Sequence, residues 1–304
     1  MSTKYMWSLN QVIAEHNGVK NDGTTASFGT QAKRAETLRN GFKELDALGY
    51  KLPAAQSFKG KHFEVLANSW LERGLAPSTV LDKMSVFRIF CDWIGKTGMI
   101  EPSEKYLPDG FGRSEIAKFD HSWTEKNIDV SEKIAEIALR DERVAVALEL
   151  QAVFGLRVKE SLLLRPHIDD KGVYLMLTHG TKTGRPRVLE INTLEKRAAL
   201  ERAKDLVDNK RSSLVPKEQK YVDFRNHFYY EVRLAGISKN DLGITAHGLR
   251  HAFANDLYEK KSGQLSPVRG GPTARTEASR TARQEIAEEL GHGRSSVTSA
   301  YIGK

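Results

Sequence analysis

The chain has 304 residues, of which 39% are hydrophobic, so it is long enough to form two domains with cores of their own. No apolar run approaches the length of a membrane span, and the N-terminus lacks the basic start and long apolar core of a secretory signal. The net charge of +8 favours a polyanionic partner, nucleic acid ahead of an anionic membrane, and the single cysteine excludes an internal disulfide and suits a reducing cytosol.

Residues 1–110 carry three apolar stripes at helical spacing, which predict a small helical domain. Residues 17–30 are rich in glycine and small polar side chains and predict a loop, with Thr30 as the cap of the next helix. The stripes comprise Leu38, Phe42, Leu45 and Leu48; Phe63, Leu66, Ala67, Trp70 and Leu71 before Gly74; and Val80, Met84, Phe87, Cys91 and Ile94 before Gly95. Ser78 is the predicted cap of the third helix, and Cys91 is predicted to serve packing rather than chemistry.

Residues 97–127 contain two prolines and several glycines without a sustained period, which predicts a linker between domains. Helical spacing resumes at a predicted cap, Ser131, and continues to Leu150. The β-rich runs VYLML and RVLEI then flank THGTKTGRP, which predicts a hairpin. Further helical patterns cover residues 193–208, residues 220–234 and the stretch from His247. The second domain, residues 128–304, is therefore predicted to be mainly α-helical with one small antiparallel β-sheet.

Four short segments of the second domain concentrate basic and protic side chains. They are FGLRVKESLLLR with Arg157 and Glu160, GTKTGRPR with Lys182, HGLRHAFA with His247 and Arg250, and LGHGRSSVTSAY with His292 and Tyr301. Residues three apart on a helix are neighbours, so His247 and Arg250 can face one pocket, and such a pair suits an anion. Taken singly, each segment also has an ordinary structural explanation, such as a surface ion pair or a solvated hairpin tip.

Taken together and in this order, the four segments resemble the tyrosine recombinases, the phage-integrase family of site-specific DNA recombinases. They bracket residues 150–301, and the nine-residue step from His292 to Tyr301 is an especially close match. The helical N-terminal region is consistent with the core-binding domain of that family. The resemblance therefore implies a helical core-binding domain followed by a tyrosine-recombinase catalytic domain, the two clamping duplex DNA.

The resemblance also implies a role for each matched residue. Arg157 and Arg250 correspond to the two arginines that hold the non-bridging oxygens of the scissile phosphate, a task that suits planar guanidinium groups. Tyr301 corresponds to the nucleophile, which forms a 3′-phosphotyrosyl link, and Lys182 to the general acid toward the leaving 5′ hydroxyl. The remaining matches are His247 and His292, which hydrogen-bond the phosphate and assist proton movement, and Glu160, which orients its basic neighbours.

Neither a cofactor nor a metal ion is implied. The covalent intermediate conserves the phosphoester energy, and no nucleotide-binding P-loop pattern is present in the sequence. His247 and His251 have the spacing of a zinc-binding pair, but Arg250 between them would repel a dication.

Basic residues outside the four segments are candidates for DNA contacts. In the N-terminal domain these are Lys59, Lys61, Arg73, Lys83 and Arg88, for which solubility is the alternative explanation. Residues 261–283 lengthen the step between the two matched histidines and are rich in Gly, Pro, Ser, Thr and Arg. They carry Arg269, Arg275, Arg280 and Arg283, which predicts an arm along the DNA backbone, with a disordered surface insertion as the alternative.

The function implied by the resemblance is integration or excision of a mobile element by DNA cleavage and rejoining. The implied partner is a double-stranded recombination site, bound by a homotetramer that is a monomer or dimer when free, with an accessory DNA-bending protein as a further candidate partner. The implied location is the cytoplasm, at the bacterial nucleoid. Two alternatives stay open: a DNA-binding protein of the same fold without cleavage activity, and a type IB topoisomerase-like relaxing enzyme. The sequence also leaves open whether Tyr301 acts in cis or in trans.

Overall fold

The computed structural model describes residues 4–20, 22–181, 184–274 and 276–304. The chain divides after Ser114 into two compact units, each with an apolar core of its own. The described residues are mainly α-helical with one two-stranded antiparallel sheet, which confirms the predicted fold class. None of the helices in these ranges is long and apolar enough to cross a membrane.

The described residues of the N-terminal unit form four α-helices. They are α1 (Lys4–His16), α2 (Phe28–Ala47), α3 (Gly60–Glu72) and α4 (Pro77–Trp93). Two predicted caps are wrong. Ser27 rather than Thr30 caps α2, because the Ser27 hydroxyl accepts a hydrogen bond from the backbone N–H of Thr30. Helix α4 starts at Pro77 rather than after Ser78, because proline has no N–H to satisfy and its fixed φ suits the first helical position.

The three predicted stripes supply much of the N-terminal core. Phe42 and Phe87 pack against each other with their rings 6.5 Å apart. A Cβ atom at Gly41 would lie 2.5 Å from the Phe87 ring, so the close approach of α2 to α4 depends on glycine there. Cys91 is buried on α4, and burial raises the pKa of its thiol to about 12, in agreement with a packing role. Leu48 lies beyond the end of α2 and is exposed, unlike the rest of its stripe.

Most of the segment predicted as a linker packs onto one core or the other. Ile100 and Leu107 are buried in the N-terminal core, and Trp123 is buried in the C-terminal core. The Trp123 indole N–H also donates to the carbonyl of Thr245 at 2.7 Å. A free linker over the whole of 97–127 is therefore not what the chain forms, because large apolar side chains within it are drawn into the two cores.

The C-terminal unit contains the sheet and the remaining helices. The elements before the sheet are α5 (Val130–Ala138), α6 (Glu142–Phe154), α7 (Val158–Leu163) and α8 (Pro166–Asp169). Strands β1 (Tyr174–Leu177) and β2 (Arg187–Glu190) follow. The helices after the sheet are α9 (Leu194–Leu206), α10 (Tyr221–Leu234), α11 (His247–Ser262), α12 (Glu277–Glu289) and α13 (Ser299–Ile302).

Local hydrogen bonds decide where several of these elements begin. β1 pairs antiparallel with β2, Leu177 opposite Arg187, which confirms the predicted hairpin. The helix predicted from Ser131 to Leu150 is instead two helices. Asp129 caps α5 by accepting from the backbone N–H of Glu132, so Ser131 is not the cap, and Asp141 caps α6.

The last helices form a cluster around the end of the chain. Tyr258 of α11, Ile286 of α12 and Ile302 of α13 are buried together. The backbone N–H of Ala117 donates to the carbonyl of Ser299 at 2.9 Å, so the first residues of the C-terminal unit run beside α13. This cluster fixes the position of the helix that carries Tyr301.

Residues 261–283 are folded, so the alternative of a disordered insertion is wrong for the part that the structure describes. Arg269 lies at the end of a short 3₁₀ turn and forms ion pairs with Asp120 at 2.7 Å, Asp256 at 2.6 Å and Glu259 at 3.0 Å. These three carboxylates hold the Arg269 guanidinium within the protein.

The other arginines of this insertion differ from one another. The buried Arg283 side chain donates to the carbonyl of Gly303 at 3.0 Å, so it too has an internal structural role. Arg280 is exposed and pairs with Glu277 at 3.5 Å, and Arg275 lies outside the described residues. The prediction of a DNA-contacting arm is therefore not supported at Arg269 and Arg283, because both guanidinium groups are held by the protein itself.

We expect Arg269→Ala to lower stability and to leave the salt dependence of DNA binding unchanged. The substitution strands the buried Asp120 carboxylate, which costs about 3 kcal/mol of unfolding free energy. Urea unfolding and DNA binding as a function of salt test this, with Arg280→Ala as the exposed control. A flatter salt dependence with wild-type stability for Arg269→Ala would restore the DNA-contacting arm.

Candidate active site

Arg250 lies at the centre of the candidate site, one turn into α11, and is fully buried. Its Nη1 donates to the carbonyl of Gly155, its Nη2 to the carbonyl of Leu290 at 2.7 Å, and its Nε to the Tyr301 hydroxyl at 3.1 Å. The guanidinium thus joins the end of α6, the end of α12 and the helix α13. A charge that cannot be lost is held where three distant segments of the chain meet.

Arg157 and Glu160 form a second part of the site at the start of α7. The backbone N–H of Arg157 donates to Glu160 at 2.7 Å, and its Nη1 donates to the other carboxylate oxygen at 2.9 Å. Glu160 is fully buried, whereas one fifth of the Arg157 side chain is exposed. The carboxylate therefore orients Arg157, whose side chain stays partly accessible to solvent.

Arg187 of β2 also belongs to this cluster, although it was not among the predicted site residues. Its Nη2 donates to Glu160 at 2.8 Å, and its Nη1 donates to the carbonyl of Glu289. Burial is the main cause that lowers its pKa, to about 10, so the group stays charged at neutral pH. Strand alternation is the sequence feature that could have identified Arg187 as an inward-facing residue, because Arg187 shares a face of β2 with Leu189, which is buried.

Tyr301 lies on α13 within the arginine cluster of its own chain. It is 6% exposed, and three histidine rings surround its ring, those of His251 at 4.9 Å, His292 at 5.7 Å and His247 at 5.8 Å. His292 follows Gly291, whose φ of 66° ends the α12 segment, and its Nε2 lies 3.4 Å from Arg250 Nη2. The phenol is thus placed beside its own subunit's basic groups.

Two of the histidines next to Tyr301, His247 and His251, are neutral at neutral pH. Burial, then the positive charges of Arg250 and Arg157, lower the pKa of His247 to about 4, although the side chain keeps an exposed face. Burial, then His247 and His121, lower the pKa of His251 to about 3. His251 is 8% exposed, and its place beside Tyr301 was not predicted, because its only distinguishing feature in the sequence was the spacing of a zinc-binding pair, which Arg250 argues against. Neutral imidazoles can accept a proton or share a hydrogen bond with a phosphate.

The depressed pKa of His251 predicts that stability falls as the pH is lowered. In the unfolded chain this group binds a proton below about pH 6.5, whereas in the folded chain it does so only near pH 3, so acid favours unfolding across that window. We expect about 2 kcal/mol of unfolding free energy to be lost through His251 between pH 7 and pH 5. Urea unfolding at the two pH values should show a loss that is about 2 kcal/mol smaller in His251→Gln than in the wild type, because His247, whose pKa is also lowered, contributes to the loss in both proteins. The exposed His167 supplies the control, since His167→Gln should behave as the wild type.

The structure brings together most of the predicted site residues. Those that meet are Arg157, Glu160, His247, Arg250, His292 and Tyr301. Lys182 lies outside the described residues, so its role stays a prediction. Among the described residues, no group of three His, Cys, Asp or Glu side chains is arranged to hold a metal ion.

The predicted DNA contacts of the N-terminal unit fall into two groups. Lys59 and Lys61 are exposed at the start of α3. The other three have partners within the protein: Lys83 lies over the Trp70 ring at 5.0 Å, Arg73 pairs with Glu44 at 3.1 Å, and Arg88 donates to the carbonyl of Glu101 at 2.7 Å. Lys59 and Lys61 are the better candidates for contacts with a phosphate backbone.

Comparison with known families gives two sequence matches. The family described as "Integrase" matches residues 120–256, and the family described as "Phage integrase, N-terminal" matches residues 15–100. No curated protein matches the chain in sequence.

Three solved structures with a similar fold are complexes with a core site, a Holliday junction and transposon DNA. A lambda integrase dimer on a COC′ core site is 18% identical with a TM-score of 0.58, over 96% of this chain and 92% of that one. A lambda integrase tetramer on a Holliday junction is 18% identical with a TM-score of 0.56, over 96% and 74%. The Tn1549 transposon integrase with transposon right-end DNA is 16% identical with a TM-score of 0.58, over 98% and 95%. At these identities the likeness shows the fold.

Proposed function

Because the chain belongs to the phage-integrase family of tyrosine recombinases, we propose that it cleaves and rejoins DNA at a specific site through a 3′-phosphotyrosyl intermediate. The observation that carries the proposal is the 3.1 Å hydrogen bond from Arg250 Nε to the Tyr301 hydroxyl within one chain. A phenol held against a guanidinium that binds phosphate is positioned for attack on the phosphorus. The same bond supports cleavage in cis.

The cleavage step assigns one task to each group. The scissile phosphate binds between Arg157, which keeps solvent access, and Arg250, which must exchange its bond to Tyr301 for one to a phosphate oxygen. The Tyr301 oxygen then forms a bond to phosphorus as the bond to the 5′ oxygen breaks. The phenol proton passes to an imidazole, that of His247 or His292, and Lys182 protonates the leaving 5′ oxygen. Rejoining reverses these transfers.

The biological setting that we propose is the integration or excision of a mobile element. The partner is a double-stranded recombination site bound by both units, and the active assembly is a homotetramer. The lambda integrase tetramer on a Holliday junction, which has a similar fold, supports this assembly. We place the protein in the cytoplasm at its DNA target, with Lys59 and Lys61 contributing to affinity through phosphate contacts.

The decisive experiment traps the covalent intermediate. The target site is first identified by sequencing the DNA that crosslinks to the protein in its own cells, and a duplex nicked next to the cleavage position then serves as the substrate. A covalent adduct followed by exchange between two sites supports a recombinase. Relaxation of a single plasmid without exchange would favour a topoisomerase-like enzyme, and binding without any adduct would favour a non-cleaving DNA-binding protein.

Lys182→Ala tests the general acid. We expect adduct formation on ordinary DNA to fall by about 10²–10⁴-fold, because the 5′ oxygen would leave unprotonated. A substrate with sulfur at the 5′ bridging position should restore the rate, since a thiolate leaves without a proton. Lys171→Ala, an exposed lysine before β1, is the control and should cleave both substrates as the wild type does. Failure of the sulfur substrate to restore the rate would remove Lys182 from this role.

A further inference from the structure

Three arginines surround one buried carboxylate in the candidate site. Glu160 is fully buried and accepts hydrogen bonds from Arg157 at 2.9 Å and Arg187 at 2.8 Å. Its carboxylate also lies 3.8 Å from Arg250 Nη1. Of these arginines, Arg157 and Arg250 have a place in the proposed chemistry, whereas Arg187 has none so far.

Arg187 does not reach the reacting atoms itself. Its side chain is 6% exposed, and both terminal nitrogens donate within the protein, one to Glu160 and one to the carbonyl of Glu289. A Cβ atom at Gly291 would lie 2.8 Å from Arg187 Cδ, so the Arg187 side chain passes directly against the turn that leads to His292. Any effect of Arg187 on catalysis must therefore act through its neighbours.

The charges of the cluster suggest what that effect is. Without Arg187, the negative charge of Glu160 would be balanced by Arg157 and Arg250 alone. The Glu160 carboxylate would then compete with the scissile phosphate for both of these guanidinium groups. With Arg187 present, three guanidinium groups face one carboxylate and leave two positive charges for a phosphate. A phosphodiester gains a second negative charge as the nucleophile adds. Charges fixed in a dry site stabilise such a change strongly.

We propose that Arg187 is a positioning residue that neutralises the Glu160 carboxylate, so that the positive charges of Arg157 and Arg250 act on the scissile phosphate. This inference rests on the proposed cleavage function. A second contribution comes from the bond to Glu289, because the last carbonyls of α12 accept from Arg187, Arg157 and Arg250 at adjacent positions. Cations at the C-terminal end of a helix are favourable. Arg187 thereby also joins β2 to the turn that carries His292.

Arg187→Met, alone and combined with Glu160→Gln, tests the proposal on the full chain. We expect Arg187→Met to slow single-turnover adduct formation by at least about tenfold, while the Kd for the site changes by less than about threefold. Adding Glu160→Gln should recover most of the lost rate, because the unbalanced carboxylate is then removed. Arg187→Lys, which keeps the charge, should stay close to the wild type. Arg202→Met, which breaks an exposed ion pair with Glu149 on α6, is the matched control.

The outcomes separate this proposal from the function on which it rests. A wild-type protein that forms no adduct contradicts the cleavage function itself. A cleaving wild type with an equally active Arg187→Met variant, or with a loss that Glu160→Gln does not recover, overturns the role of Arg187. If Arg187→Met does not fold, the double variant decides, since removing both buried partners together is tolerated better than removing one. Should the double variant also unfold, Arg187→Lys decides, and a folded but inactive Arg187→Lys would overturn charge balance.

Discussion

Tyr301→Phe is expected to abolish the covalent protein–DNA adduct and to leave DNA binding nearly intact. The variant removes the oxygen that bonds to phosphorus and the hydrogen bond from Arg250, but keeps the ring among its histidine neighbours. The measurement is adduct formation on the nicked duplex, together with the Kd of the same duplex.

A second buried tyrosine provides the control for this variant. The Tyr258 hydroxyl donates to Ser279 at 2.9 Å, in the cluster that also contains Tyr301. We expect Tyr258→Phe to lose about 1 kcal/mol of unfolding free energy and to keep forming the adduct. An adduct that persists in Tyr301→Phe would place the nucleophile elsewhere in the chain.

Arg250→Lys is expected to slow adduct formation by about 10²–10³-fold even though the positive charge is kept. A lysine ammonium cannot reproduce the planar fork that reaches Gly155, Leu290 and Tyr301 at once. Each buried acceptor left without its donor also costs about 1–3 kcal/mol of unfolding free energy. Single-turnover cleavage and urea unfolding measure the two effects separately.

Arg143→Lys is the matched control for the arginine fork. Arg143 also bridges a carbonyl, that of Leu214 at 3.3 Å, and a carboxylate, that of Asp208 at 2.8 Å. Its replacement should cost stability without slowing cleavage. If Arg250→Lys cleaves at a rate close to that of Arg143→Lys, the geometry of the fork does not matter and the assignment of Arg250 is wrong.

The hairpin and most helices were predictable because each depends on local spacing. Turn residues and β-rich runs predicted β1 and β2, and helical periods predicted α9 and α10 with small errors at the ends. The caps were less predictable, since several polar residues compete near each helix start. At α5, Asp129 lies two residues before Ser131, and its carboxylate accepts from the first turn.

The candidate site shows the same division between local and distant information. The order and spacing of the motifs predicted that Arg157, Arg250 and Tyr301 belong together, and the structure places them in one cluster. Arg187 was missed because its partner Glu160 lies 27 residues earlier in the chain. Arg269 was misjudged because its most buried partner, Asp120, lies 149 residues away, and composition near Arg269 carries no trace of it.

The backbone pairing of Ala117 with Ser299 has a mechanical consequence. The stretch that enters the C-terminal unit is hydrogen-bonded to α13 two residues before Tyr301, and again through Asp120 to Arg269 and through Trp123 to Thr245. A displacement of residues 115–120 would therefore reach α13 through Ser299 and the turn at Arg269 through Asp120, so these two parts of the C-terminal unit are coupled through one short stretch of backbone.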